Sequence, residues 1–126
     1  MLKFHREVLE NTRISKLEGD IQMNHNRISV EQVKQDLEAG RDFVLLDVRT
    51  KEEFHEGHIE GAINIPLQTL AYDIENEVPE KDQIIVLYCR SGIRTLTAAE
   101  ILKDLEYTKV YDMGGIISWP YEVVVE

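Results

Sequence analysis

Residues 84–94, which read Ile-Ile-Val-Leu-Tyr-Cys-Arg-Ser-Gly-Ile-Arg, give the strongest indication of the fold of this chain. Residues 84–88 form a continuous apolar run, which is typical of a strand covered on both faces of a parallel sheet. The sequence turns polar at Cys89, and Gly92 permits a backbone turn that a Cβ would obstruct. Beyond this loop, apolar residues recur at the spacing of a helix face: Ala98, Ile101, Leu102 and Leu105. The stretch therefore predicts a strand, a loop and a helix in succession.

The same alternation of strand and helix signals continues outward in both directions. Apolar runs predict strands at residues 43–46, 62–65 and 109–111, and a helical stretch is predicted at 67–75. Two pairs have the form of capping boxes, each followed by a glycine that would end a short helix: Ser29 with Gln32 before Gly40, and Thr50 with Glu53 before Gly57. Alternating strands and helices predict an α/β fold, with an open, mostly parallel sheet flanked by helices on both faces.

Two polar clusters follow the ends of predicted strands. Asp47-Val48-Arg49 follows the strand at residues 43–46, and the loop from Cys89 to Arg94 follows the strongest strand. Because the ligands of open α/β sheets bind beyond the carboxyl ends of the strands, we expect both clusters to meet at one edge of the sheet. The sequence therefore predicts a functional site at that edge.

The residues around Cys89 suit a reactive thiol. Successive N–H groups of a tight loop can point inward as an anion-binding nest, and the amino end of the following helix adds partial positive charge. A thiolate or an incoming oxyanion would be stabilised there. A lone cysteine is more often an inert, buried apolar residue. However, Arg90, Ser91 and Gly92 directly after it are a poor setting for that role, and we interpret Cys89 as a nucleophile.

The charge of the chain excludes one class of partner. Its 126 residues include 14 basic and 24 acidic ones, which gives a formal net charge of −10. Residues 1–27 hold five basic and four acidic residues, and the remainder holds nine basic and twenty acidic ones. No basic stripe suited to nucleic acid is present, so nucleic acid is not an expected partner. Arg90 and Arg94, two of those nine, lie within five positions of Cys89 and suit a small anionic substrate.

The length of the chain suits one compact domain. Residues 1–27, polar and mixed in charge, are interpreted as an amino-terminal extension, helical or partly disordered, and residues 28–126 as the domain itself. No apolar run approaches the ~20 residues that cross a bilayer. Charged residues also occupy the amino terminus, where a signal peptide is apolar. We therefore expect a cytoplasmic protein that does not act at a membrane.

The number and spacing of cysteine and histidine residues indicate whether the chain could bind a metal. Cys89 is the single cysteine of the chain, so it cannot form an internal disulfide. The four histidines lack the spacing of a zinc site. Neither a metal nor another cofactor is expected.

Three motifs together resemble the rhodanese family of sulfurtransferases. The six-residue loop that opens with Cys89 resembles the active-site loop of that family. The stretch L-L-D-V-R-T-K-E-E-F-H-E-G-H-I-E-G-A-I-N-I-P, residues 45–66, looks like a second signature of the family. Gly114-Gly115 with Trp119 is similar to its closing G-G-x-x-x-W. The resemblance spans roughly residues 28–119, with the three motifs in the family's order.

The resemblance implies a rhodanese-type enzyme that works as a two-step sulfur relay. Cys89 would attack the sulfane sulfur of a donor such as thiosulfate, become a persulfide, and pass that sulfur to a thiol, to cyanide or to a partner protein. The implied substrate-binding cradle consists of Arg90, Ser91, Gly92, Ile93 and Arg94. The D-V-R motif places Asp47 and Arg49 in a supporting charge network that holds the loop, with Glu53 as a candidate partner of Arg49. His58 is expected to be a structural, hydrogen-bonding residue.

Two rival functions stay open. Related cysteine phosphatases and arsenate reductases have five residues between cysteine and arginine, whereas this chain has four between Cys89 and Arg94, which leaves little room for phosphate. Tyr88 also stands where a phosphatase often has histidine. The more serious alternative is a non-catalytic rhodanese-like module that binds or regulates a partner. The presence of Cys89, Gly92 and both arginines favours the enzyme.

Overall fold

Four parallel strands form the sheet of the computed structural model, which describes residues 26–126. They are β1 (Val44–Asp47), β2 (Ile63–Asn64), β3 (Ile85–Cys89) and β4 (Val110–Gly115). Their order across the sheet is β2-β1-β3-β4, and every neighbouring pair is parallel. The prediction of a parallel α/β sheet is therefore confirmed. The extension predicted over residues 1–27 lies outside the described residues, apart from its last two.

Helices connect the strands, as parallel pairing requires. They are α1 (Val30–Glu38), α2 (Lys51–Glu56), α3 (Leu70–Glu77) and α4 (Arg94–Asp104). Short 3-10 turns precede α3 at Leu67–Thr69 and follow β4 at Ile116–Ser118. The single helix predicted at residues 67–75 is thus a 3-10 turn that continues as α3. Within residues 26–126, none of the helices combines the length and the apolarity that crossing a membrane needs.

Two apolar layers enclose the sheet, one on each face. Successive strand residues point to opposite faces, and Leu45 and Val86 pack on one side with Val33 of α1. On the other side, Leu46 and Leu87 pack with residues of α3 and α4. Helices therefore cover both faces, as predicted. Every residue of β3 is buried, which explains the continuous apolar run, and each such side chain contributes roughly 1.5–3 kcal/mol by leaving water.

Side-chain caps set the starts of two helices. Thr50 and Glu53 form a full capping box, in which the Thr50 hydroxyl accepts from the Glu53 amide at 3.1 Å and the Glu53 carboxylate accepts from the Thr50 amide at 3.0 Å. The other predicted capping box forms only in part, because one of its two hydrogen bonds is absent. The Ser29 hydroxyl accepts from the Gln32 amide at 3.0 Å, but the Gln32 side chain donates to Asp36 instead. The half that forms still satisfies one free amide at the start of α1.

The strand boundaries differ from the predicted ones, and two of the differences affect the site. β3 includes Cys89, so the cysteine is the last residue of the strand and not the first of the loop. β4 continues through Gly114 and Gly115, which lie opposite Tyr88 and Cys89 in the ladder. Glycine is depleted in strands. Because Asp112 and two glycines follow residue 111, the sequence pattern predicts that the strand ends there. Pairing with β3 carries the strand four residues farther, to Gly115.

Candidate active site

The cysteine loop and the D-V-R motif meet at the carboxyl edge of the sheet. Asp47 is the last residue of β1 and lies beside Tyr88 in the ladder, and Cys89 is the next residue of β3. The loop covers residues 90–93, and α4 begins at Arg94. The two clusters are neighbours because β1 and β3 pair directly.

Cys89 is fully buried and packs in the apolar cluster on the α3 and α4 face. Burial alone would suit an inert thiol. However, the Gly92 amide points back at the sulfur and donates a hydrogen bond to Cys89 Sγ at 3.1 Å. Gly92 has φ +100°, a left-handed conformation that favours glycine, and this turn directs the amide inward. The loop therefore gives the sulfur a backbone donor, as an anion nest does.

The other residues of the expected cradle differ in exposure. Arg90, Ser91 and Ile93 are exposed on the loop, and Arg94 is half-buried at the start of α4. The Arg90 carbonyl accepts a hydrogen bond from the Ile117 amide at 3.2 Å, which ties the loop to the segment after β4. The loop therefore brings a buried sulfur, an inward amide and two arginines into one short stretch.

The two glycines at the end of β4 support the loop at very close range. A Cβ on Gly115 would lie 2.2 Å from the Arg90 carbonyl oxygen and 2.7 Å from Ser91 Cα. A Cβ on Gly92 would lie 3.4 Å from Gly114 Cα. Backbone therefore packs directly on backbone, and position 115 has no room for a side chain. This contact explains the glycine at position 115, whereas Gly114 has φ +96°, a left-handed conformation that favours glycine.

A buried carboxylate, Asp112, lies beside the loop and is not among the site residues predicted from the sequence. Asp112 Oδ1 accepts from the Gly114 amide at 2.7 Å, and Oδ2 accepts from the Thr95 hydroxyl at 2.9 Å. The same hydroxyl lies 3.0 Å from the Gly92 carbonyl oxygen. These contacts tie β4, the loop and α4 together. An acidic residue inside the apolar run 110–113 is the signal from which this role can be found, because a buried carboxylate requires partners.

Glu53 pairs with Arg94, and its predicted pairing with Arg49 is wrong. The two terminal nitrogens of Arg94 donate to the two carboxylate oxygens of Glu53 at 2.8 and 3.0 Å. The capping box already fixes Glu53 at the start of α2, and the guanidinium of Arg49 is engaged by Asp47. The Arg94 hydrogen bond lowers the pKa of Glu53 from 4.5 to about 2, and the bond to Glu53 raises the pKa of Arg94. The charge of Arg94 is thus largely balanced within the protein.

Asp47 and Arg49 form a buried ion pair behind the loop. Arg49 Nη2 lies 2.7 Å from Asp47 Oδ2, and Arg49 Nε donates to Asp47 Oδ1 at 3.0 Å. Arg49 also donates to the Gly57 carbonyl at 2.7 Å, which anchors the end of α2. Burial opposes the charge of Arg49, but the hydrogen bonds that Arg49 donates to Asp47 and the nearby negative charge of Asp47 together outweigh burial and raise the pKa of Arg49. The Asn64 side chain completes the network by donating to the backbone carbonyls of Asp47 and Arg49.

His58 is buried against α2. Its Nδ1 lies 2.8 Å from the Phe54 carbonyl oxygen, and its ring stacks on the Phe54 ring with centroids 3.6 Å apart. The backbone of His58 pairs with Val124 in an antiparallel bridge. These contacts are those of a residue that holds the end of α2 in place.

The structure is that of a parallel α/β domain with one thiol and an inward amide at the carboxyl edge of its sheet. Comparison with known protein families identifies the family to which this domain belongs. The family model described as "Rhodanese-like domain" matches residues 29–120. The chain belongs to the rhodanese family and is an enzyme of the rhodanese type.

Individual relatives agree with this assignment. The thiosulfate sulfurtransferase PspE of Escherichia coli (strain K12) is 39% identical over 71 residues, which cover 56% of this chain and 68% of that protein. A sulfurtransferase of Allochromatium vinosum is 37% identical over 95 residues, or 75% of this chain and 87% of that protein. Among solved structures, a "rhodanese with anions from E. coli" matches with a TM-score of 0.62 and 35% identity, over 66% of this chain and 98% of that one. These similarities support sulfurtransferase activity.

Proposed function

We propose that Cys89 is the nucleophile of this sulfurtransferase and carries sulfur as a persulfide from a donor such as thiosulfate to a thiol or cyanide acceptor. The observation that carries the proposal is the hydrogen bond from the Gly92 amide to Cys89 Sγ at 3.1 Å. A backbone donor aimed at sulfur stabilises negative charge on a thiolate, and the same donor serves a persulfide anion.

In the first step, the Cys89 thiolate attacks the outer sulfur of thiosulfate. A sulfur–sulfur bond to Cys89 forms while the bond between the outer sulfur and the sulfite group breaks, and sulfite leaves with that electron pair. In the second step, a thiolate or cyanide attacks the outer sulfur of the persulfide, and Cys89 leaves as a thiolate. The sulfane sulfur keeps its oxidation level throughout, so the cycle requires no oxidant.

The loop side chains divide into two roles. Arg90 is exposed and meets the incoming anion, whereas Arg94 is held by Glu53 and positions the loop against α2. Ser91, Gly92 and Ile93 contribute through backbone N–H groups. The Asp47 and Arg49 pair supports the loop from the neighbouring strand. We expect the enzyme to act in the cytoplasm.

Intact-mass spectrometry of the full chain tests the proposal. Exposure to thiosulfate should add the mass of one sulfur atom, and cyanide should then remove it. The Cys89→Ser variant, which keeps the size of the side chain but not its nucleophile, should gain nothing. If the folded protein gains no sulfur from thiosulfate, mercaptopyruvate or a protein persulfide, it is a binding module. Hydrolysis of an aryl phosphate that Cys89→Ser abolishes would instead identify a phosphatase.

A further inference from the structure

Three large aliphatic side chains border the Cys89 loop and are exposed, namely Ile93 (71%), Leu96 (48%) and Ile117 (66%). We call them the apolar rim. Ile93 belongs to the loop itself, and Leu96 lies in the first turn of α4, where its amide donates to the Ile93 carbonyl. Ile117 borders the opposite end of the loop, because its amide donates to the Arg90 carbonyl at 3.2 Å.

A small anionic donor does not account for the apolar rim. Thiosulfate is recognised by cations and hydrogen-bond donors, and aliphatic side chains beside it would only remove water from its charge. Arg94, one of the two cations of the loop, is already paired with Glu53. Grouped apolar side chains on a surface mark contact with another macromolecule. The rim therefore suits a partner larger than the donor.

The burial of the sulfur limits the shape of that partner. Cys89 has no exposed surface, so a flat protein face cannot reach Sγ. After loading, the outer sulfur is bonded to Sγ at about 2 Å, so the sulfur of an acceptor must approach it through the mouth of the loop. A partner must therefore bring its own sulfur to that mouth on a narrow, extended segment. Side chains on either side of that sulfur would then lie on the rim.

We propose that the apolar rim docks the cysteine-bearing segment of an acceptor protein, with apolar side chains on both sides of the acceptor cysteine. This inference rests on the proposed function. Beyond residue 27 the chain holds nine basic and twenty acidic residues, so a segment with a basic surround is attracted by the field of the domain. The acceptor thiolate forms a bond to the outer sulfur while the bond from that sulfur to Cys89 breaks. Cys89 departs as a thiolate, and the acceptor becomes the persulfide.

Two synthetic peptides of equal charge test the inference: acetyl-Lys-Leu-Cys-Leu-Lys-amide and acetyl-Lys-Ser-Cys-Ser-Lys-amide. The protein is loaded with thiosulfate, freed of excess donor and mixed with each peptide below saturation, and the peptide persulfide is followed by mass spectrometry. The leucine peptide should accept sulfur about tenfold faster, which corresponds to ~1.4 kcal/mol. Equal rates for the two peptides in the parent protein would overturn the inference without any variant.

Variants then locate the preference on the rim. In the double variant Leu96→Ser and Ile117→Ser, the advantage of the leucine peptide should fall to about twofold or less, a loss of ~1 kcal/mol. The matched control is Val125→Ser. Val125 is an aliphatic residue with a similar exposure, 70%, but it is not part of the rim, because the neighbouring Val124 pairs with His58 at the end of α2. This control should keep the full preference. A preference that survives in the double variant, or in both single variants if the double one does not fold, would also overturn the inference.

Loading with thiosulfate and discharge to cyanide are measured on the same samples. Both reactions should keep the parental rates in the rim variants, because neither reactant uses aliphatic contacts. Failure of the parent protein to gain sulfur from any donor contradicts the proposed function. Normal loading and normal discharge to cyanide, with no preference between the peptides, would contradict only the proposal that the apolar rim docks an acceptor protein.

Discussion

Replacement of Gly115 by alanine tests how the Cys89 loop is held in place. A Cβ at this position would lie 2.2 Å from the Arg90 carbonyl oxygen, 2.8 Å from the Arg90 carbonyl carbon and 2.7 Å from Ser91 Cα, whereas ordinary contacts begin at 3.4 Å. All three atoms belong to the backbone, so no side-chain rotation relieves the overlap. Gly115 has φ −118° and ψ 145°, which suit alanine. The effect is therefore one of space alone, and the loop must retreat by about 1 Å.

Two losses follow from this displacement. Overpacking of this kind lowers the free energy of unfolding by about 1–3 kcal/mol. The retreat also moves the Gly92 amide away from Cys89 Sγ, and a misplacement of about 1 Å costs on the order of 10²-fold in rate. We therefore expect Gly115→Ala to be moderately destabilised and to transfer sulfur about a hundredfold more slowly.

Urea unfolding measures the first loss, and the rate of persulfide formation from thiosulfate measures the second. Gly61→Ala is the matched control, because Gly61 has φ +92° and no atom within 4 Å of the added Cβ. It should lose about 1 kcal/mol from backbone strain and keep the parental rate of transfer. If Gly115→Ala unfolds and transfers sulfur like the parent, the contact between β4 and the loop does not position Cys89, and the reasoning fails.

Two further predictions concern stability. Glu53→Gln keeps the capping oxygen but removes the charge that faces Arg94, so it should cost about 1 kcal/mol at neutral pH, a small amount because the pair is partly exposed to solvent. The pKa of Glu53 is lowered from 4.5 to about 2, so the unfolded chain takes up this proton first as the pH falls. The advantage of the parent should therefore shrink between those two pH values, and urea unfolding that shows a constant difference contradicts the assignment. Tyr88→Phe removes the buried hydroxyl that accepts from the Ile59 amide at 3.1 Å. It should cost about 1–3 kcal/mol in thermal or urea unfolding, and unchanged stability would show that this bond contributes nothing.

The order of helices and strands could be predicted from the sequence because the signals for it are local. The apolar run at residues 84–88, the capping box of Thr50 and Glu53, and the helical spacing after the loop each act within a few residues. The meeting of the D-V-R motif with Cys89 was also predictable, because neighbouring parallel strands share a carboxyl edge. Strand ends were less predictable, since partners across the sheet decide them, as Gly115 shows.

The pairing of charges at the site depends on distances that local patterns do not contain. Glu53 is four residues from Arg49 but binds Arg94, which is 41 residues away along the chain. That choice is decided by where α2 and α4 begin at the edge of the sheet. Asp112 and Thr95 are 17 residues apart and meet only because β4 and α4 pack beside the loop. The close approach of Gly115 to Arg90 is likewise a property of the assembled backbone.

The brevity of β2 has a consequence for how copies of the protein behave toward one another. An outer strand presents unpaired amide and carbonyl groups to which a strand of another molecule can add, and such addition is a common route to aggregation. β2 is an outer strand of only two residues, Ile63–Asn64, and Pro66, which has no amide hydrogen to donate, follows shortly after it. At the opposite edge, Ile28 donates to the Asp112 carbonyl and occupies part of β4. With the more apolar strands β1 and β3 placed inside the sheet, we expect the addition of a strand from another copy to be disfavoured.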